Sequence, residues 1–367
     1  MNRRDTERTR WQPIAILVAV AALVVSACGG GATPSPTAGG PSPSAGGASP
    51  SAGGASPSGS AAEEIGAPET ASITLGVRTG NIGSVAPLFI ARDRGYYEEE
   101  GLNVEIIVTD QVQEGIVGGS LNVGIFDPDA TVESIHEGVP LIMVAGNRQR
   151  EPLIIAAAAG IESAEDLAGK DVALGLGPGD PATNFRLEAL KAAGWDLEAV
   201  EGIQYVSPPG GSDARAELLY AGQVALTYVF PRHKQPAEEA GGTLIVDDYL
   251  DPFLNDVFIT TEDFASANTN TLAHFIRATI RGKQDFLDLS QKDAVLELME
   301  AAGFEVGENE RAFYEFDPPQ HDEDMAIPQE GYERLLEASG VEDPGFEEVT
   351  SLDALHLAQR SLGLPER

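Results

Sequence analysis

Residues 83 to 104 read Gly83-Ser-Val-Ala-Pro-Leu-Phe-Ile-Ala-Arg-Asp-Arg-Gly-Tyr-Tyr-Glu-Glu-Glu-Gly-Leu-Asn-Val104, and the fold follows from them. Ser84 is a residue type that caps a helix, the apolar positions after Val85 continue it to about Glu100, and Gly101 is placed to stop it. Upstream, Ile73-Thr-Leu-Gly-Val77 is a short β-forming run; downstream, Val104-Glu-Ile-Ile-Val108 is another. Strand, helix and strand in that order form a βαβ unit, whose crossover requires the two strands to be parallel.

The alternation continues along the chain. Strands are expected at 121–126 and 141–144, with short helices near 112–118 and 130–137. A second set follows, with strands at 153–157, 172–176, 203–206 and 224–229 and helices at 181–193 and 213–221. After strands at 244–246 and 257–261 the chain reads as almost wholly helical, with Leu272, Phe275, Ile276, Thr279 and Ile280 on one face. Two sets predict two α/β lobes.

The N-terminal part is of a different kind. Arg3, Arg4, Arg8 and Arg10 precede an uncharged run from Trp11 that closes on Val25-Ser-Ala-Cys28, the layout of a secretory signal over residues 1–27. Its apolar core is shorter than the ~20 residues that span a bilayer. Cys28 is the single cysteine, so no disulfide forms within one chain. After Cys28, residues 29–70 are built mainly of Gly, Pro, Ser, Ala and Thr, and the unit Pro43-Ser-Ala-Gly-Gly-Ala-Ser49 repeats from Pro50 to Ser56, so residues 28–70 read as a flexible linker with almost nothing to build a core. The chain carries a formal net charge of −35, with its acids spread throughout. Such a surface repels nucleic acid and anionic lipid, so neither is an expected partner.

Four stretches carry a family resemblance. Ala91 to Val104 reproduces the pattern Ala-x-x-x-Gly-Tyr/Phe-Phe/Tyr-x-x-x-Gly-Leu-x-Val, and Gly119-Ser-Leu-Asn-Val-Gly-Ile125 follows Gly-x-x-Asp-Val-Gly with Asn122 in place of Asp. Ser163 to Ala173 matches Ser-x-x-Asp-Leu-x-Gly-Lys-x-Val, and Gly222-Gln-Val-Ala-Leu226 matches Gly-Gln-Val-Asp-Ala with Ala225 in place of the acid. The chain resembles the SsuA-like or Thi5-like solute-binding proteins that serve importers of nitrate, sulfonate, taurine and thiamine precursors. The N-terminal box likewise resembles that of bacterial lipoprotein precursors, which implies lipidation of Cys28 and attachment to the outer face of the cytoplasmic membrane. The resemblance implies a bilobed type II periplasmic-binding-protein fold that closes on a ligand by hinge motion. On that fold lobe 1 would take residues 71–149 and 250–367 and lobe 2 residues 150–249, with the chain crossing between them near 147–152 and again within 243–256. It also implies an ABC permease and an ATPase as partners, a monomeric receptor, and no enzymatic step.

Physical reasoning places the cleft at the carboxyl ends of the parallel strands, where loops open helices. Four loops supply candidates. Asn81, in Thr79–Ser84, offers donor and acceptor, or simply turns the chain. Asp127 and Asp129 open a helix, where one caps and the other is available to a ligand with amino or ring N–H donors. Gly175-Leu-Gly-Pro-Gly-Asp-Pro-Ala-Thr183 brings Gly179 and Thr183 to a helix start with Asp180 as N-cap, though its spacing is neither a dinucleotide fingerprint nor a Walker loop. Tyr228, at the end of a strand, offers an aromatic wall, and Arg232 binds a carboxylate or, favoured by the excess of acids, forms a salt bridge.

Other chemistry is weakly supported. His136, His233, His274, His321 and His356 show no metal spacing, and no Gly-x-Ser-x-Gly elbow occurs. No metal or cofactor is expected. The acids Glu315, Asp317, Asp322, Glu323 and Asp324 around His321 read as a solvated loop. The expected ligand is a small organic molecule, nitrogenous and heteroaromatic in preference to an inorganic anion. The alternatives are an exported Thi5-like enzyme of pyrimidine or thiamine metabolism and a scaffold lipoprotein without transport.

Overall fold

A computed structural model describes residues 64–78, 82–209, 211–307, 310–311 and 314–367. The signal segment, Cys28, residues 29–63 of the linker and Asn81 lie outside the described residues. The linker expected to reach residue 70 ends sooner: Ile65 is buried in the core of the first sheet, and Glu69 accepts from the Thr271 amide at 2.8 Å, because an apolar and an acidic side chain there find partners on a distant helix. No helix among the described residues is long and apolar enough to cross a membrane.

Two five-stranded sheets organise the chain. The first contains β1 (Ser72–Val77), β2 (Asn103–Val108), β3 (Val123–Phe126), β4 (Leu141–Arg148) and β10 (Asp256–Thr261), in the order β2-β1-β3-β10-β4. The second contains β5 (Glu151–Ala157), β6 (Asp171–Ala173), β7 (Gln204–Tyr205), β8 (Leu226–Val229) and β9 (Thr243–Leu250), in the order β7-β6-β8-β5-β9. In each sheet one strand opposes the rest: β10 is antiparallel to β3 and β4, and β5 to β8 and β9. The reason is topological. β4 ends at the cleft, so β5 must begin there and run away from it; β9 returns to the cleft, and β10 again runs away. The two crossings are therefore only Gln149–Arg150 and Asp251–Asn255 long.

The helix expected from Val85 to Glu100 is two helices. α1 spans Ile82–Asp93 and α2 spans Tyr96–Glu99, separated by Gly95 at φ 74°. Ser84 does not cap; it is buried inside α1, where its hydroxyl donates to Asp256 at 2.6 Å. The break lets Tyr97 turn into the core, stacked on Phe275 at 5.5 Å with its hydroxyl 3.0 Å from that of Thr279. The Gly-Tyr-Tyr motif thus docks α2 on the long helix α9. The Ser163-x-x-Asp166 motif is likewise structural: Asp166 accepts from the Ser163 amide at 2.9 Å and closes a capping box.

Further helices are α3 (Val112–Val117), α4 (Pro128–His136), α5 (Pro181–Ala192), α6 (Gly211–Tyr220), α7 (Lys234–Glu239), α8 (Glu262–Ala267), α9 (Thr269–Leu287) and α10 (Lys292–Ala301). α9 buries Leu272, Phe275, Ile276, Thr279 and Ile280 as its apolar spacing predicts. It crosses α1 so closely that a Cβ on Gly282 would lie 2.2 Å from the Pro87 carbonyl oxygen. Gly282→Val is accordingly expected to lower the melting temperature, costing about 2–3 kcal/mol of stability.

The C-terminal part is less helical than its sequence suggests. Residues 314–328 carry only a short turn at Pro318–Gln320, and the prolines at 318, 319 and 328 explain the interruption. The solvated acidic loop expected there is instead packed against the first crossing, with Asp317, His321 and Asp324 buried. Arg150 pairs with Asp322 at 2.7 Å and Arg367 with Asp324 at 2.6 Å, so these two acids are paired, while Glu315 and Glu323 stay exposed as expected.

Three helices close the chain: α11 (Gln329–Ser339), α12 (Phe346–Val349) and α13 (Asp353–Leu362). α13 packs on α9, whereas α11 lies against both α4 of the first lobe and α5 of the second. At its end Gly340 adopts φ 71°, and a Cβ there would meet Pro181 at 2.4 Å.

Candidate ligand-binding cleft

The helices whose first turns face the cleft follow strands directly: α1 after β1, α4 after β3, α5 after β6 and α6 after β7. Parallel pairing aligns these strand ends, so the first turns of four helices from two lobes converge.

Two adjoining cavities lie among them. The first, about 350 Å³, is bordered by Asp127 and Asp129 of the first lobe, Glu151, Phe185 and Tyr228 of the second, and Leu335 of α11. The second, about 430 Å³, is bordered by Ile82, Arg148, Ser212, Asp213, Arg232 and Tyr314. Glu151, Phe230 and Asn255 line both, so the two spaces meet at the crossings.

The sequence candidates divide between these spaces and the framework. Asp127 pairs with Arg78 at 2.5 Å, and although it stands at the N-cap of α4 its side chain makes no capping bond. Asp129 borders the first cavity beside it. Tyr228 also borders that cavity, but its ring lies between the guanidinium groups of Arg186 and Arg215, each 3.7 Å from the ring centre. The aromatic face expected to meet a ligand is therefore occupied by two cations. Arg232 donates to Asp213 at 2.9 Å and to the Ser212 hydroxyl at 2.6 Å, the salt-bridge reading.

Gly179 and Thr183 border neither cavity. Asp180 is the N-cap, accepting from the Thr183 amide at 3.0 Å and from its hydroxyl at 2.6 Å. The Thr183 hydroxyl in turn accepts from the Gly177 amide at 3.2 Å, and Asn184 accepts from the Gly179 amide at 3.0 Å. The loop's N–H groups, expected to be free for an anion, are satisfied by its own side chains. The strain-tolerant conformation of Gly179, φ 99°, serves this internal turn.

The residues missed by sequence reasoning sit on the crossings. Arg148 donates to Asp256 at 2.6 Å, to Asn255 at 2.8 Å and to Gln320 at 3.0 Å, joining both crossings to the C-terminal segment. Burial would raise the Asp256 carboxyl, but Arg148 and the Ser84 hydroxyl outweigh it and hold Asp256 below its ordinary range. Glu151 accepts a hydrogen bond from Asn255 and has no ion-pair partner among the described residues; burial pushes it up to about 7. Nearby, Lys283 is fully buried, donates to the Asn147 carbonyl at 2.5 Å, and is pushed down to about 7 by desolvation. An acid and a lysine in hydrophobic-looking strand and helix sequence carry no local signal. Their roles depend on which segments the crossings bring together.

Residues 83–291, more than half of the chain, match the family model described as NMT1/THI5 like. The chain belongs to the NMT1/THI5-like family. Within the curated proteins, a formylaminopyrimidine-binding protein of Halalkalibacterium halodurans is 27% identical over 208 residues, covering 53% of this chain and 60% of the relative. The match thus spans less than two thirds of that relative's length. Among solved structures, a putative sulfonate ABC transporter periplasmic sulfonate-binding protein, SsuA, from Methylobacillus flagellatus KT aligns with a TM-score of 0.60 at 15% identity, over 80% of this chain and 95% of that one. A desulfurization enzyme, DSZB, aligns with a TM-score of 0.51 at 16% identity, over 79% and 99%. NMT1/THI5-like membership and these alignments establish the periplasmic-binding-protein fold. The identities are too low to transfer a ligand, and the fold itself is used by both a binding protein and an enzyme.

Proposed function

We propose that this NMT1/THI5-like protein is the solute-binding subunit of an ABC importer, which captures a small organic ligand between its lobes and presents it to a permease driven by an ATPase. The observation that carries this reading is the pair of adjoining cavities between the lobes, lined from both sides and joined by two short crossings. That architecture suits closure over a solute and release on opening. Lipidation of Cys28 and the linker that follows it would hold the receptor at the outer face of the cytoplasmic membrane, where confinement raises its effective concentration at the permease.

The ligand in this proposal is nitrogenous and heteroaromatic. Asp127, Asp129 and Tyr228 are its proposed neighbours in the first cavity and Arg232 in the second, with Asn81 on the loop before α1; Gly179 and Thr183 shape the α5 turn behind them. The curated relative's name, formylaminopyrimidine-binding protein, supports this ligand class, as does the acidic lining. No bond-breaking step is assigned, since the proposed role needs only selective burial.

Native mass spectrometry of residues 64–367 is expected to reveal a co-purifying small molecule. Thermal shifts should then be largest with pyrimidines and amines and smallest with nitrate and sulfonates. Turnover of a bound compound would instead favour an enzyme, and the absence of any small-molecule shift would favour a scaffold.

A further inference from the structure

Glu151 opens β5 and is one of three residues that border both cavities. Its carboxyl receives one hydrogen bond among the described residues, from Asn255 Nδ2. Among the described residues no cation pairs with it. Arg148 is held by Asp256, Asn255 and Gln320. Arg186 lies over the Tyr228 ring and donates to the Leu174 carbonyl at 2.8 Å.

The charges facing Glu151 come from every side of the crossing. Arg148 of β4 and Arg186 of α5 favour the ionised form, and Asp256 of β10 opposes it. Asp127 and Asp129 lie across the first cavity; Asp213, Arg232, Glu310 and Asp317 surround the second. Burial is the largest influence, and the carboxyl titrates near pH 7, well above an exposed glutamate. A carboxylic acid that keeps its proton presents a hydroxyl donor and a carbonyl acceptor side by side.

We propose that Glu151 is the specificity-determining residue of the cleft, recognising in its protonated form a neutral nitrogen heterocycle that carries an amino group beside a ring nitrogen. The carboxyl hydroxyl donates to the ring nitrogen, and the carboxyl carbonyl oxygen accepts from the amino group. No bond breaks, and the single proton stays within the pair. An anionic ligand in the first cavity would face Asp127, Asp129 and Glu151, while a cationic one would require Glu151 to ionise within the field of Asp256. This inference rests on the reading of the cleft as a small-molecule receptor and specifies the chemistry that the receptor selects.

The probe is 4-aminopyrimidine, titrated calorimetrically against residues 64–367 between pH 6 and pH 8. The protonated fraction of a group titrating near 7 falls about tenfold over that interval, so the wild-type dissociation constant should rise about tenfold. At pH 8, comparison of two buffers with different ionisation heats should report uptake of about one proton per ligand, a measurement that needs no variant. Glu151→Gln presents the same donor and acceptor permanently, and should bind within threefold of wild type at pH 6 with no further loss at pH 8. Glu151→Met should bind at least tenfold more weakly at pH 6.

Tighter binding as pH rises, proton release on binding, or loss of binding in Glu151→Gln would overturn the proposal in favour of an ionised carboxylate. Should 4-aminopyrimidine fail while nitrate or an alkanesulfonate binds equally to wild type and Glu151→Gln, the Glu151 proposal falls and the receptor reading stands. Failure of every small molecule removes both.

Discussion

Replacing Arg148 with alanine should cost about 3–5 kcal/mol of stability, measured as a fall in the urea midpoint. The side chain is 12% exposed and that of Asp256 7%, so the pair at 2.6 Å is screened from water. Removing the guanidinium leaves Asp256 buried with the Ser84 hydroxyl as its one remaining side-chain hydrogen-bond partner among the described residues, and strips a donor from both Asn255 and Gln320. The unpaired carboxylate, rather than the lost attraction, dominates the expected cost. An Arg148→Met/Asp256→Leu double variant should therefore recover most of it, because neither charge remains to be desolvated. A fully additive double variant would show that the two residues are not coupled. The cost of the single variant should shrink on acidification, since Asp256 without Arg148 would favour its neutral form.

Glu151→Gln is expected to act in the other direction, and only at higher pH. The folded-state carboxyl titrates near 7 against about 4.5 when exposed, so the folded protein binds more protons in that interval. Wild-type stability from this group is complete below about pH 4.5 and is lost as pH rises through 7. The shift corresponds to about 3 kcal/mol, using 1.36 kcal/mol per unit. Glutamine cannot ionise, so the stability difference between Glu151→Gln and wild type should move by about 3 kcal/mol in favour of the variant between pH 4.5 and pH 8. Paired urea titrations at the two pH values isolate the effect, because every other titrating group cancels in the comparison. A difference that stays flat with pH would show that Glu151 ionises normally despite its burial.

Much of the architecture was legible in local sequence. Nearly every expected strand from Ile73 to Thr261 exists with shifted ends, because β-forming runs bounded by glycine and proline make a local signal. The apolar stripe of α9 was equally readable from its three- and four-residue spacing. Where expectation failed, a tertiary demand had overridden a local preference. Ser84 looks like a cap but is recruited by Asp256, 172 positions away. Asp322 and Asp324 look solvated until Arg150 and Arg367 arrive from distant segments to pair with them.

The candidate site was legible as a set of loops, less so as a set of contacts. Asp127, Asp129 and Tyr228 border the first cavity, as strand-end position suggests. Sequence could not show that Arg78 neutralises Asp127, that two arginines cover Tyr228, or that Asp180 and Asn184 consume the amides of the glycine-rich loop. Each of those competitors is a side chain whose approach depends on folding.

By itself, the sequence determined an α/β protein with two sets of alternating strands and helices, since alternation is a property of the chain read in order. Tertiary structure alone decided that Arg148, Glu151, Asn255 and Asp256 meet where the lobes join. The physical reason is that both crossings start and end at the cleft, so residues more than a hundred positions apart are buried together and set one another's charge.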